Sequence, residues 1–216
     1  MKNRIFKSIR ALFAAVLSVS LSVSVLSAFP AARAEETGST AETKSYQYSV
    51  EIEFGAMTFC YDYGTWNPSN LRYEAEETEA PAAGTVAGFP GWYGFDGTAN
   101  KISVRYNATE ATEGTNELLQ VVLSYRALTA NDGGTSVMAG IVGVTPEFYG
   151  DTELTKYLGG SGTSLSVAKN DSTSVWLSLT GAPMNSVGSP FRSQTLIPIG
   201  MLTIALGSFS ATEGGN

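Results

Sequence analysis

From Tyr46 onward the chain alternates. Tyr46, Tyr48, Val50, Ile52 and Phe54 share one side of an extended backbone, and Gln47, Ser49, Glu51 and Glu53 share the other. A period of two puts every second side chain on the same face, so the segment is a half-buried β-strand. Gly55-Ala56 interrupts it. The pattern resumes with Met57, Phe59, Tyr61 and Tyr63 against Thr58, Cys60 and Asp62. A glycine at that point permits a bulge or a bend, so this is one long bent strand or two. Ile102, Val104 and Tyr106 alternate in the same way, as do Leu119, Val121, Leu123 and Tyr125, and later Val175, Leu177 and Leu179. Ser164–Ala168 and Val137–Val144 are shorter strand candidates, and Leu71–Tyr73 is a brief one. Thr195–Leu206 is a long β-branched run; Pro198 and Gly200 place its start at a sheet edge or at a bulge.

One segment breaks the rhythm. Thr145-Pro146-Glu147 has the form of a helix start: a capping threonine, proline at the first position and an acidic first turn. A short helix to about Leu158, stopped by Gly159-Gly160, is expected there. Glu74–Pro81 is acidic and Ala82–Pro90 is punctuated by Gly, Ala and Pro, which reads as a long surface loop. Turn-linked strands with one helical insert predict an all-β chain. The expected architecture is an antiparallel, immunoglobulin-like β-sandwich of seven to nine strands. Its first strand and the Thr195–Leu206 strand are expected to pair within one sheet; exchange of those strands between subunits is the alternative.

The first 34 residues follow a different logic. Lys2, Arg4, Lys7 and Arg10 precede the uncharged, Ala/Leu/Val-rich run Ala11–Ala28. Pro30 and the small-x-small triplet Ala32-Arg33-Ala34 follow. That is the layout of a cleavable export signal. An uncleaved anchor is the alternative, but the run has the shortest useful length and is diluted by Ser18, Ser20, Ser22 and Ser24. The predicted organisation is signal 1–34, flexible leader 35–44 and a single domain over 45–216. The expected location is outside the cell, secreted or on the cell surface, with no stable membrane span after cleavage.

The stretch Tyr48-x-Val-x-Ile-x-Phe-Gly-x-Met-x-Phe-x-Tyr-x-Tyr-Gly-x-Trp-Asn-Pro68 resembles the N-terminal part of small exported β-sandwich surface proteins of Gram-positive, Clostridia-like bacteria. Gly91-Trp92, Asn100–Val104 and the Leu-x-Leu-x-Gly-x-Pro turn at 177–183 extend the likeness, as does the terminal strand. The resemblance implies a secreted or surface sandwich and supplies no catalytic residue. The inserts at about Glu74–Phe89 and Pro146–Leu158 depart from the shorter members.

Composition then removes chemistry. The 216 residues contain no His and one Cys. Catalysis by Ser-His-Asp or Cys-His, His-ligated zinc, iron–sulfur clusters and an intrachain disulfide are all excluded. The net charge is −7, and the signal takes five of the 13 basic residues and none of the 20 acidic ones. That balance opposes nucleic-acid binding. Paired carboxylates could hydrolyse glycosides, but no acid sits in an apolar frame except Asp62, which alternation turns away from Tyr61 and Tyr63. Asn131-Asp132-Gly133 and Asn170-Asp171-Ser172 are oxygen-rich, yet simpler as tight turns than as calcium loops. No catalytic residue, no metal site and no cofactor is expected. Cys60 is either an exposed thiol able to pair between chains or a small packed residue.

The remaining candidates are rings. Trp66, Trp92, Tyr93 and Phe95 lie in glycine-framed segments. Exposed, they would stack on sugar faces or fill an interface. Buried, Trp66 and Trp92 would pack together and plug one end of the sandwich. The function expected is that of a non-enzymatic structural or adhesive protein of the cell surface; the alternative is a carbohydrate-binding module built on these aromatics. The expected partner is a cell-surface protein or polysaccharide, or a second copy of the chain.

Overall fold

The computed structural model describes residues 15–21, 47–109, 116–128, 142–185, 188–190 and 196–212. The described residues form strands and no helix. One sheet has six strands, in the order β11 (Thr163–Ala168), β8 (Asn116–Ala127), β13 (Ile197–Thr212), β1 (Ala15–Leu21), β3 (Thr58–Asp62), β6 (Gly91–Tyr93). A second has five, in the order β10 (Tyr157–Gly159), β9 (Thr145–Tyr149), β12 (Asp171–Thr180), β7 (Lys101–Thr109), β2 (Gln47–Phe54). The hairpin of β4 (Thr65–Asn67) and β5 (Arg72–Glu74) stands apart. Neighbours run antiparallel in both sheets except β1, which runs parallel to β13.

The predicted alternation supplies one shared core. Leu119, Val121, Leu123, Leu202 and Ile204 from the first sheet join Ile102, Val104, Phe148, Val175, Leu177 and Leu179 from the second in a single buried cluster. Each such apolar side chain contributes about 1.5–3 kcal/mol by leaving water. Ser178, Asn100 and Thr163 are the buried polar exceptions among the described residues, and all are satisfied, Thr163 Oγ1 donating to Gly160 O at 2.6 Å. Asn100 Nδ2 donates to Leu177 O at 2.8 Å, its Oδ1 accepts from Gly97 N at 3.0 Å, and Ser178 Oγ accepts from Ala83 N at 3.0 Å.

Gly55 is where the first strand changes sheets. β2 pairs with β7 along Gln47–Phe54, whereas β3 belongs to the other sheet. At the corner Gly55 N and Met57 N still donate to Lys101 O and Ala99 O. A Cβ on Gly55 would lie 2.1 Å from Thr98 O, so only glycine passes. Met57 then takes φ of 49° and turns its side chain into the core.

Several expectations are corrected. Thr145–Leu158 is not a helix. Pro146 and Phe148 are buried and Thr145 is exposed, a period of two, and β9 pairs with β12 from Trp176↔Tyr149 to Thr180↔Thr145. Pro146 is tolerated because β10 reaches only Phe148 and Tyr149, which leaves the start of β9 as an edge. The rest of the insert is a loop closed by the Asp151 carboxylate, which accepts from Thr155 N at 2.8 Å and from Lys156 N. The strands also outnumber the seven to nine expected, because β4, β6 and β10 are three residues each and too short to show a period. β2 and β13 lie in different sheets, so the expected pairing of first and terminal strands does not form. β13 is an interior strand rather than an edge, but the irregularity expected at Pro198 and Gly200 is present, since its pairing with β1 steps from Pro198 to Gly200. Pro198 also sits ahead of the β8 ladder, which starts at Gly200↔Ala127, and a second irregularity falls between Leu206 and Phe209. Most of Val137–Val144 lies outside the described residues, while Val142 bridges to Met184.

The described part of the predicted export signal is β1. In the uncut chain it lies between β13 and β3, paired from Ala15↔Ile197 to Leu21↔Ile204 with a register shift that skips Ile199 between Val16↔Pro198 and Leu17↔Gly200.

Candidate functional site

The four candidate rings do not form one group. Trp92, Tyr93 and Phe95 are buried, at 2%, 1% and 4% exposure, whereas Trp66 is 48% exposed. Trp92 and Tyr93 belong to β6, whose residues are all buried. Trp92 meets Tyr61 edge to face at 5.2 Å, and its Nε1 donates to Gly181 O at 2.7 Å. Phe95 stacks on Phe59 at 4.4 Å. Tyr93 donates its hydroxyl to Phe89 O, which ties the acidic loop to the sheet. These three rings are packed inside, and Trp66 meets Tyr73 edge to face rather than packing with Trp92.

Trp66 stands on hairpin β4–β5. Its cross-strand partner is Tyr73, and the two rings meet edge to face at 5.4 Å. Tyr73 is 56% exposed, and Leu71, Val86 and Phe89 are exposed nearby in the chain. Asn67 starts the turn, its Oδ1 accepting from Ser69 N at 2.9 Å, and Leu71 completes it with φ of 51°. Pleating puts Trp66 and Tyr73 on one face and Thr65, Asn67, Arg72 and Glu74 on the other.

The polar face is a clamp centred on Glu74. Its Oε2 accepts from Asn67 Nδ2 at 2.6 Å, and its Oε1 accepts from Asn70 Nδ2 at 2.7 Å and Arg72 Nε at 2.8 Å. These donors, Asn67 first, hold the Glu74 carboxyl down at a pKa of about 2. Arg72 also lies 4.8 Å over the Phe89 ring, joining hairpin to loop. The base is pinned by Asp62: its Oδ1 accepts from Gly64 N at 2.7 Å, and its Oδ2 accepts from Glu76 N at 2.9 Å. Asp62 therefore organises the hairpin and the acidic loop. The loop is strapped down further by Ala75 N to Gly88 O and Ala82 N to Trp92 O.

Beside the buried rings lies an open cleft of about 290 Å³, lined by Tyr61, Thr85, Pro90, Trp92, Thr180 and Gly181 among others, with no carboxylate or amine on its walls. The described residues contain no cluster of three or more His, Cys, Asp or Glu side chains placed to hold a metal. Of the two oxygen-rich turns, Asn131-Asp132-Gly133 lies outside the described residues. In the other, Asn170 has φ of 58° and spends its Oδ1 on Ala108 N, as a turn asparagine does. Cys60 is half-buried, and its thiol is pushed up to about 11, by burial first and then by Glu77 and Asp62.

Sequence reading named Trp66 but missed Tyr73 and Phe89. The readable signal was a ring on each side of the turn sequence Asn67-Pro68-Ser69-Asn70. Comparison with family models, with curated proteins and with solved structures finds no match to this chain.

Proposed function

We propose that this chain is an exported, non-enzymatic, immunoglobulin-like β-sandwich of the cell surface that works by adhesion. Its contact is the aromatic face of hairpin β4–β5, and its ligand is a polysaccharide. The observation that carries this reading is the exposed Trp66–Tyr73 pair on a hairpin fixed from behind by the Glu74 clamp. Rings held still in water offer a flat apolar plane at little entropy cost, which suits a sugar face. Among the described residues, the carboxyls that depart from their ordinary values, Glu74, Asp96 and Asp151, shift downward. They suit fixed anions, whereas a glycosidic acid needs an upward shift.

The test is retention on insoluble polysaccharides of bacterial and plant cell walls. Trp66→Ala should weaken retention about thirtyfold, the roughly 2 kcal/mol of a central aromatic contact. Its melting temperature should match that of the parent. Unchanged retention in the variant, or release of soluble sugar by the parent, overturns the reading.

A further inference from the structure

β1 is the one strand whose removal the export reading requires. Cutting after Ala34 would take Ala15–Leu21 out of the middle of a sheet. β1 pairs with β13 over its whole length and touches β3 through Ala15↔Phe59 and Val16↔Thr58. Among the described residues it is the strand that joins β13 to the β3–β6 pair. Its departure would leave one edge of β13 unpaired from Ile197 to Ile204, beside the fully buried Leu202 and Ile204. An unpaired edge next to an apolar core is a template for another strand.

The sequence that occupies the place states what fits there. Leu17-Ser18-Val19-Ser20-Leu21 alternates aliphatic and small polar residues, a strand period rather than a helical one. Among the described residues no strand is free to take its place. Leader residues 35–44, Glu-Glu-Thr-Gly-Ser-Thr-Ala-Glu-Thr-Lys, lack aliphatic alternation, and the strongest alternating runs are already committed to β2, β7, β8 and β12.

We propose that in the exported chain the place of residues 15–21 between β13 and β3 is filled by a strand from another polypeptide. That strand is seven residues long, alternates aliphatic with small polar side chains and runs parallel to β13. The inference rests on the export reading, and it makes the mature protein a receiver in a heterologous assembly. The donor adds main-chain hydrogen bonds along β13 and completes the core face, while the aromatic hairpin stays free for its ligand.

The experiment expresses the full chain with its own N-terminus in a secreting bacterial host and purifies it from the medium. Intact mass gives the first residue. A fluorescent peptide of residues 14–26 with a lysine tail is then titrated in, beside a control with Leu17, Val19 and Leu21 changed to Ser. The expected result is a chain starting at Glu35 that binds the first peptide one to one and the control at least tenfold more weakly. If the cut chain is unfolded alone, gain of β-sheet circular dichroism with the first peptide and not the control supports the proposal equally. A cut chain that binds neither peptide, or gains no structure from either, overturns it and leaves export standing. A chain that retains residues 15–21 overturns both.

Discussion

Trp66 and Trp92 show how far apart two similar residues can stand. Trp92→Ala removes a ring from the core and a hydrogen bond to Gly181 O, and should cost about 3–5 kcal/mol in urea unfolding. Trp66→Ala removes an exposed ring and should stay within about 0.5 kcal/mol of the parent. Nothing local in the sequence separates them, since both sit among glycines and turn residues; the cross-strand partner and the sheet position decide. Glu74 gives a pH test. Its folded pKa is lowered from 4.5 to about 2, so its contribution is present above 4.5 and is lost as pH falls through about 2. The Glu74 carboxyl carbon should titrate near pH 2 by NMR, and a midpoint near 4.5 would mean that the clamp is not formed. Cys60, with its thiol near 11, should resist an aromatic disulfide reagent at pH 8 until guanidinium unfolds the chain, because the thiolate is on the order of one in a thousand there.

At the scale of elements, alternation carried the fold. The runs around Val50, Val104, Val121 and Leu177 became β2, β7, β8 and β12, and the brief Leu71–Tyr73 candidate became β5. What alternation could not give was the sheet each strand joins, because a period of two names a face and not a neighbour. Thr145-Pro146-Glu147 misled for a related reason. A capping threonine with a following proline is also an acceptable start for an edge strand, and only pairing with β12 separates the two. The Leu/Val–Ser alternation inside the first 34 residues was legible too, but the flanking charges and small residues pointed to an export signal. The corner at Gly55 offers the sharpest test of an element boundary. Gly55→Ala should destabilise by about 2 kcal/mol or more, because the new methyl meets the backbone oxygens of Thr98 and Ala99. Gly84→Ala, with φ of 74° but open space around it, should cost only about 1 kcal/mol.

At the scale of the molecule, two sheets over one core act as a rigid support for a hairpin that contributes nothing to that core. The acidic loop after it is a strap rather than a free flap, held by Asp62, Tyr93 and Ser178. The division of labour is plain in the rings: those on β3 and β6 hold the sheets together, and those on β4 and β5 face water. Nuclear magnetic resonance of the chain labelled with 5-fluorotryptophan tests this most directly, since the three tryptophans, Trp66, Trp92 and Trp176, give three fluorine signals. Trp66→Phe assigns one of them. On adding soluble fragments of a polysaccharide that retains the protein, the Trp66 signal should shift or broaden while the other two hold still. Movement of the Trp92 or Trp176 signal with Trp66 unchanged would contradict the account.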